Sequence, residues 1–292
     1  MSEVELLRVG LTQWHATADV EANVEIAVDL ICRAAAGGAD IVVLPENGLM
    51  LGTNVQMRER ALSQTGPEVH ALASAAAEQG VTVVLGGMKN ITAEGVFNSA
   101  VVIDAQGRVA GRYDKIHLFD ATVNGQSFEA SSVEKPGQQP VLLDLDGVKV
   151  GLTICYDVRF PELYRALALS GAELFLVPAA FTYVTGQAHW HALLRARAIE
   201  NGCYVVASAT VRSPRGPGQD AFETYGHALV VSPWGEVLAD LGEETPVVQI
   251  VDLDLSTVRS ARRSLPVLAG TRPLVYRTEP RTITTRSTQE AR

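Results

Sequence analysis

Cysteine is scarce in this sequence, with three among 292 residues, at Cys32, Cys155 and Cys203. An odd number of widely spaced thiols suggests neither a disulfide framework nor a zinc knuckle, and it raises the question of which thiol is chemically active. No compact cluster of His, Cys and Asp ligands suggests a metal, and no cofactor is expected. Long apolar runs are missing too. None approaches the ~18 residues that a membrane-spanning helix needs. The segment MSEVELLRVGLTQW lacks the basic stretch ahead of an apolar one that marks a secretory signal. A soluble, cytoplasmic protein is the expectation, with no membrane partner. Positive charge does not dominate either. A net charge of −9 argues against nucleic acid as a partner, and the late group Arg259, Arg262, Arg263, Arg272, Arg277, Arg281 and Arg286 reads as a solvated surface. Internal repeats, low-complexity linkers and domain breaks are absent. Residues 1–276 therefore read as one domain, followed at 277–292 by a polar arm or disordered tail rich in Thr and Arg.

What is present is an ordinary globular composition, 47% hydrophobic and 20% charged, compatible with a large core. Apolar β-rich runs alternate with helical patterns. Strands are expected at Leu6–Trp14, Ile41–Pro45, Thr82–Gly86, Ala100–Ile103, Val148–Ile154, Leu174–Val177, Val205–Ala209, Ala228–Val231 and Val247–Asp252. Helices are expected at Asp19–Ala36, Pro67–Gln79, Pro161–Ser170, Ala188–Asn201 and Leu255–Ser264. In the first of these Val24, Val28, Ile31 and Ala35 share a face that would pack on a sheet. Hairpin signals at Asp104–Gly107 and Asp144–Gly147, with a further turn at Pro233-Trp234-Gly235, mix antiparallel pairs into the βα pattern. About nine strands are too many for one comfortable twisted sheet, and two packed mixed sheets flanked by helices fit better.

In α/β architectures ligands meet residues just beyond the carboxyl ends of strands. Three such ends carry reactive groups: Ile41–Glu46 ends in a carboxylate, Arg112–Lys115 in an ammonium, and Val150–Cys155 in a thiol. A cysteine between a strand and a helix faces the positive end of the helix dipole, which favours the thiolate. Free backbone N–H groups stand beside it to bind an oxyanion. Cys32, inside a helix, and Cys203, between a helix and a strand, fit the structural role of most cysteines. Glu46 and Lys115, each taken alone, read equally well as surface charges.

Together they are more specific. Leu44-Pro45-Glu46-Asn47, Tyr113-Asp114-Lys115-Ile116-His117-Leu118-Phe119-Asp120 and the stretch Gly151–Leu163 around Cys155 resemble the three signature motifs of the nitrilase superfamily, in its order and near its separations. The likeness spans residues 6 to 276. It is nearest to the Nit-type amidases, which act on 2-oxo acid ω-amides or deaminated glutathione, because Tyr156-Asp157 follows the cysteine where true nitrilases have Trp-Glu. The resemblance implies an α-β-β-α sandwich and a homodimer or larger assembly. It implies Cys155 as nucleophile, Glu46 as general acid and base, and Lys115 with the Tyr156 N–H as oxyanion donors. A small amide would pass through a thioester to the acid and ammonia or an amine. The superfamily's accessory glutamate points to Glu129, although Glu129 stands one position early before Pro136-Gly137 and Ala130 falls in the expected place.

Arg159 is a candidate for a substrate carboxylate, and equally for an anchor within the fold. Phe181, Thr182 and Thr185 are candidates for the pocket mouth, or for loop packing. Arg195, Arg197 and Glu200 look like an internal ion-pair network. A nitrile or N-carbamoyl amino acid hydrolase would use the same three residues. A cysteine peptidase would need a histidine on Cys155 and leave Glu46 and Lys115 unexplained, and a binding protein would not need all three.

Overall fold

The first strand of the chain is buried on both faces from Val9 onward. Leu7, Val9 and Leu11 enter one core cluster and Trp14 another, and the next strand divides likewise, Ile41 and Val43 to the first cluster and Val42 to the second. Strands of this kind must be covered on both sides, and the fold provides two covers. A computed structural model describes residues 5–283 apart from 217 and 219. Arg286 and the part of the expected tail at 284–292 lie outside the described residues.

Along the chain the elements are β1 (Leu6–Trp14), α1 (Val20–Ala36), β2 (Ile41–Val43), α2 (Asn54–Glu59), α3 (Pro67–Gln79), β3 (Thr82–Thr92), β4 (Gly95–Ile103) and β5 (Val109–Asp114). There follow β6 (Asp120–Val123), β7 (Gln126–Glu129), β8 (Val141–Leu145), β9 (Val148–Leu152), α4 (Pro161–Leu169), β10 (Leu174–Leu176) and α5 (Tyr183–Asn201). The last are β11 (Tyr204–Ala207), β12 (Ala209–Thr210), β13 (Leu229–Val231), β14 (Val237–Asp240), β15 (Val247–Asp254), α6 (Ser256–Ser264) and α7 (Pro273–Tyr276).

A seven-stranded sheet runs β12-β1-β2-β3-β4-β5 with β15 also on β1, and a six-stranded sheet runs β14-β13-β11-β10-β9-β8. Both mix parallel pairs, such as β1 with β2 and β9 with β10, with antiparallel ones, such as β3 with β4 and β8 with β9. One apolar cluster lies between the sheets and continues under α4 and α5; the other lies between the first sheet and α1 and α3. The result is the expected α-β-β-α sandwich.

Local details differ from expectation. In α1 the most buried apolar residues are Ala27, Leu30, Ile31 and Ala34, while Val24, Val28 and Ala35 sit at the flank. The small residues let the helix approach β1, where a Cβ on Gly10 would come within 2.9 Å of the Ala34 Cβ. α5 starts at Tyr183, five residues ahead of Ala188. Its first turn reads as a loop because it contains Gly186, yet that glycine is there for contact: a Cβ would meet the Tyr225 ring at 2.3 Å. The short hairpin β6–β7 carries too few apolar residues for periodicity to find.

Candidate active site

Each reactive group is delivered by a strand end. Glu46, just past β2, is 3% exposed and both of its carboxylate oxygens accept hydrogen bonds. Its Oε1 accepts from Lys115 Nζ at 2.8 Å and from Asn98 Nδ2 at 2.9 Å, and its Oε2 accepts from the Ala180 N–H at 2.9 Å. The close approach depends on β3, where a Cβ on Gly86 would lie 1.8 Å from the Leu44 carbonyl oxygen. Lys115, also 3% exposed, is held by its backbone N–H to the Asn98 carbonyl at 2.8 Å.

Cys155 follows β9 and is buried. Its N–H donates to the Pro178 carbonyl at 2.9 Å, and its φ of 46° places a non-glycine residue in the left-handed region, a local strain of the sort that accumulates at functional sites. The thiol and the Glu46 carboxylate line the same cavity and act on one another electrostatically. One expectation is corrected here. Burial, reinforced by the Glu46 carboxylate, raises the thiol's pKa well above normal despite the opposing pull of Lys115. The residues after Cys155 form a short 3-10 turn, Cys155–Arg159, and α4 begins only at Pro161. A turn of that length carries little of the dipole a long helix would bring, and α4 starts six residues beyond the sulfur.

The charges of the other two groups are secure. Burial opposes ionisation of Glu46, but the ammonium groups of Lys115 and Lys89 outweigh it and hold the carboxyl at about 2. Burial likewise opposes Lys115, and Glu46 overcomes it to raise its pKa.

Asp157, fully buried, ties two of the three segments together. Its Oδ2 accepts from the Tyr113 hydroxyl at 2.7 Å and the Ile154 N–H at 2.9 Å. Its Oδ1 accepts from the His117 N–H at 3.1 Å and from His117 Nδ1 at 2.7 Å. The lysine segment and the cysteine turn are thereby one unit. Nothing in the spacing of Asp157 foretells this beyond its place two residues after the cysteine.

Cys155 opens to two small cavities. One, of about 70 Å³, is lined by Glu46, Lys89, Lys115, Phe128, Glu134 and Phe222 among others. The other, about 20 Å³, is lined by Tyr156, Arg159, Phe181, Thr182 and Thr185. The sequence candidates for the mouth thus do gather beside the thiol. Arg159 lies over the Phe181 and Tyr156 rings, 5.1 and 5.8 Å from their centroids, with Nη1 3.3 Å from His189 Nδ1. Among the described residues no carboxylate pairs with it. Thr182 and Thr185 join hydroxyls at 2.6 Å. The Tyr156 N–H lies in the opening turn after Cys155, where amides have no partner within the helix. Arg197 instead binds the Val158 carbonyl at 2.7 Å and Glu200 at 2.7 Å. Arg197 and Glu200 are two of the three residues expected to form an internal network, whereas Arg195 donates to the Gly235 carbonyl at 2.8 Å.

Glu129 reaches the cavity's rim but is exposed, and among the described residues no ion pair or hydrogen bond joins its carboxylate to Glu46, Lys115 or Cys155. The carboxylate buried in that wall belongs to Glu134, 4% exposed and paired with Lys89. Sequence reading passed over both residues. The signal available was a glutamate one helical turn beyond Ala130 in the same loop.

A larger cavity of about 440 Å³, lined by His15, Gln56, Arg215 and Asp220 among others, contains none of these groups. His191, His227 and Asp240 bring ligand atoms within 4.8 Å of one another. Both imidazoles already hydrogen-bond to Asp240 at 2.9 Å, and none of the three lines the Cys155 cavities.

Against this geometry, the family model for carbon-nitrogen hydrolases matches residues 8–263. The chain belongs to the carbon-nitrogen hydrolase family. It is an enzyme that hydrolyses carbon–nitrogen bonds, with the nitrilase-superfamily fold. It is 39% identical to the deaminated glutathione amidase of Synechocystis sp. over 252 residues, 84% of this chain and 91% of that one. Among solved structures, the C. elegans NitFhit protein superposes with a TM-score of 0.86 at 33% identity, covering 94% of this chain and 67% of that one. A variant of the amidase from Nesterenkonia sp. AN1 carries the acetamide moiety of fluoroacetamide covalently on its active-site cysteine. It superposes with a TM-score of 0.77 at 27% identity, over 93% of this chain and 95% of that one. No helix of the described residues in this hydrolase is long and apolar enough to cross a membrane.

Proposed function

We propose that this carbon-nitrogen hydrolase is a cysteine-dependent amidase for small carboxylate-bearing amides, of the 2-oxo acid ω-amide or deaminated glutathione type. The observation that carries the reading is the Cys155 thiol buried beside one cavity together with a Glu46 carboxylate that is paired with Lys115. The name of the Synechocystis relative supports the substrate class.

Since Cys155 holds its proton and Glu46 does not, attack and proton transfer are coupled. The sulfur adds to the amide carbon as its proton passes to Glu46. Lys115 and the Tyr156 N–H receive the oxyanion. Glu46 returns the proton to the departing nitrogen as the C–N bond breaks, leaving a thioester. Water then attacks the thioester carbon and gives its proton to Glu46, and the sulfur leaves with that proton as the acid forms. Arg159, a half-buried cation without a carboxylate partner among the described residues, suits the substrate's carboxylate. Phe181, Thr182 and Thr185 border the acyl group.

We also infer that residues 1–276 act as one domain, that the enzyme is cytoplasmic, and that it works as a homodimer or larger assembly. The apolar surface at Leu274 and Tyr276, 77% and 69% exposed, supports the assembly.

Release of ammonia or amine from 2-oxoglutaramate and deaminated glutathione, set against nitriles and N-carbamoyl amino acids, tests the substrate class. The amides should be preferred, and a preference for either of the others overturns the assignment. Mass spectrometry should find the acyl adduct on Cys155, and Cys155→Ala should lower kcat by at least about a thousandfold.

A further inference from the structure

The cavity beside Cys155 contains a second buried ion pair that the mechanism above does not use. Ala130 opens a tight turn in which the N–H groups of Val133 and Glu134 both donate to the Ala130 carbonyl, at 2.9 and 3.0 Å. Glu134 therefore stands one turn beyond Ala130, and side chains so related project to the same side. Its carboxylate enters the cavity wall, where Oε2 contacts Lys89 Nζ and takes no other donor among the described residues. Lys89 comes from β3. Its neighbour across the sheet is Asn98, whose side chain donates to Glu46.

Four charges of alternating sign result: Lys115, Glu46, Lys89 and Glu134. Lys89 acts electrostatically on Glu46, and Glu134 acts on Lys115. A buried ion pair adds little stability over an apolar pair of the same volume, so folding does not account for placing one against the reacting groups. Either charge alone would unbalance the site. An uncompensated Lys89 would disfavour the proton that Glu46 must accept, and an uncompensated Glu134 would oppose the developing oxyanion.

We propose that Glu134 and Lys89 are a positioning pair that supplies from position 134 the second carboxylate expected at position 130, orienting Lys115 and balancing the charge around Glu46. The proposal rests on the roles given above to Glu46 and Lys115. The groups facing Glu46 are Lys115 beyond β5, Lys89 on β3, Asn98 on β4 and Cys155 beyond β9.

The test follows the rate of Cys155 alkylation by iodoacetamide against pH, which needs no substrate and so reads separately from the amidase assignment. In Glu134→Gln the remaining Lys89 ammonium favours negative charge at the site, and the alkylation midpoint should fall by about one pH unit. In Lys89→Met the remaining Glu134 carboxylate does the reverse, and the midpoint should rise by a similar amount. The double variant Lys89→Met/Glu134→Leu leaves no buried charge unpaired, and guards against misfolding of the single variants. Its midpoint should return to near that of the wild type while kcat on the preferred amide stays at least about tenfold down and KM moves little. Shifts of one sign, unmoved midpoints, or a double variant with wild-type kcat would overturn the proposal.

Discussion

At Cys155 burial and the Glu46 carboxylate oppose a thiolate while Lys115 favours one. The balance leaves a protonated thiol beside an ionised base. A standing thiolate would react with any electrophile that reached it, whereas this arrangement makes the nucleophile only as it attacks. Glu46 carries the pH dependence. Its pKa is lowered from 4.5 to about 2, so its pairing stabilises the fold fully above the ordinary carboxylate value and is lost as the pH falls toward 2. In Glu46→Gln, Lys115 loses its partner, which should cost about 3 kcal/mol near neutrality. The gap between wild type and variant in unfolding free energy should narrow as the pH is lowered from about 4.5 to about 2. Denaturant melts across that range would measure it, and turnover by the variant should be nearly abolished at every pH.

Among the elements, the strand ends are joined by polar ties as well as by sheet pairing. Asp157 receives the Tyr113 hydroxyl, the Ile154 amide and both donors of His117. Asparagine at 157 would turn an NH₂ toward one pair of those donors. We expect Asp157→Asn to destabilise the fold by about 2 kcal/mol. Activity should fall by more than the unfolded fraction explains, because Lys115 and Cys155 would no longer be held in register. Activity of the folded fraction equal to wild type would show that the sheets alone align them. The short segment between β7 and β8 shows the limit of motif reading at this scale. Glu129 is the glutamate nearest the expected position in the sequence, but Glu134 is the one that the turn from Ala130 carries into the cavity.

For the molecule as a whole, the two sheets bury one apolar cluster between them and a second beneath α1 and α3. Apolar side chains nonetheless remain on the surface near the end of the described chain, Leu274 and Tyr276 among them. If a second copy covers them, Leu274→Glu with Tyr276→Glu should shift the protein toward monomer in sedimentation velocity, with the melting transition of the domain retained. An unchanged mass would exclude these residues from the interface.

The strand ends bearing Glu46, Lys115 and Cys155, and the sandwich that brings them together, were legible in the sequence because they are local patterns. An apolar run stops at a reactive residue, and the surrounding motif residues repeat a family's order. Long-range burial is not local. Only the tertiary structure decided that the Cys155 thiol keeps its proton, since that depends on a carboxylate 109 positions away in the chain, at Glu46, and on how little water reaches either. The same is true of Arg159, which pairs with no carboxylate among the described residues, and of Glu134, whose side chain reaches Lys89 on a strand 45 positions earlier. Composition and spacing place such groups in the chain, but their charge is set by neighbours that only the fold supplies.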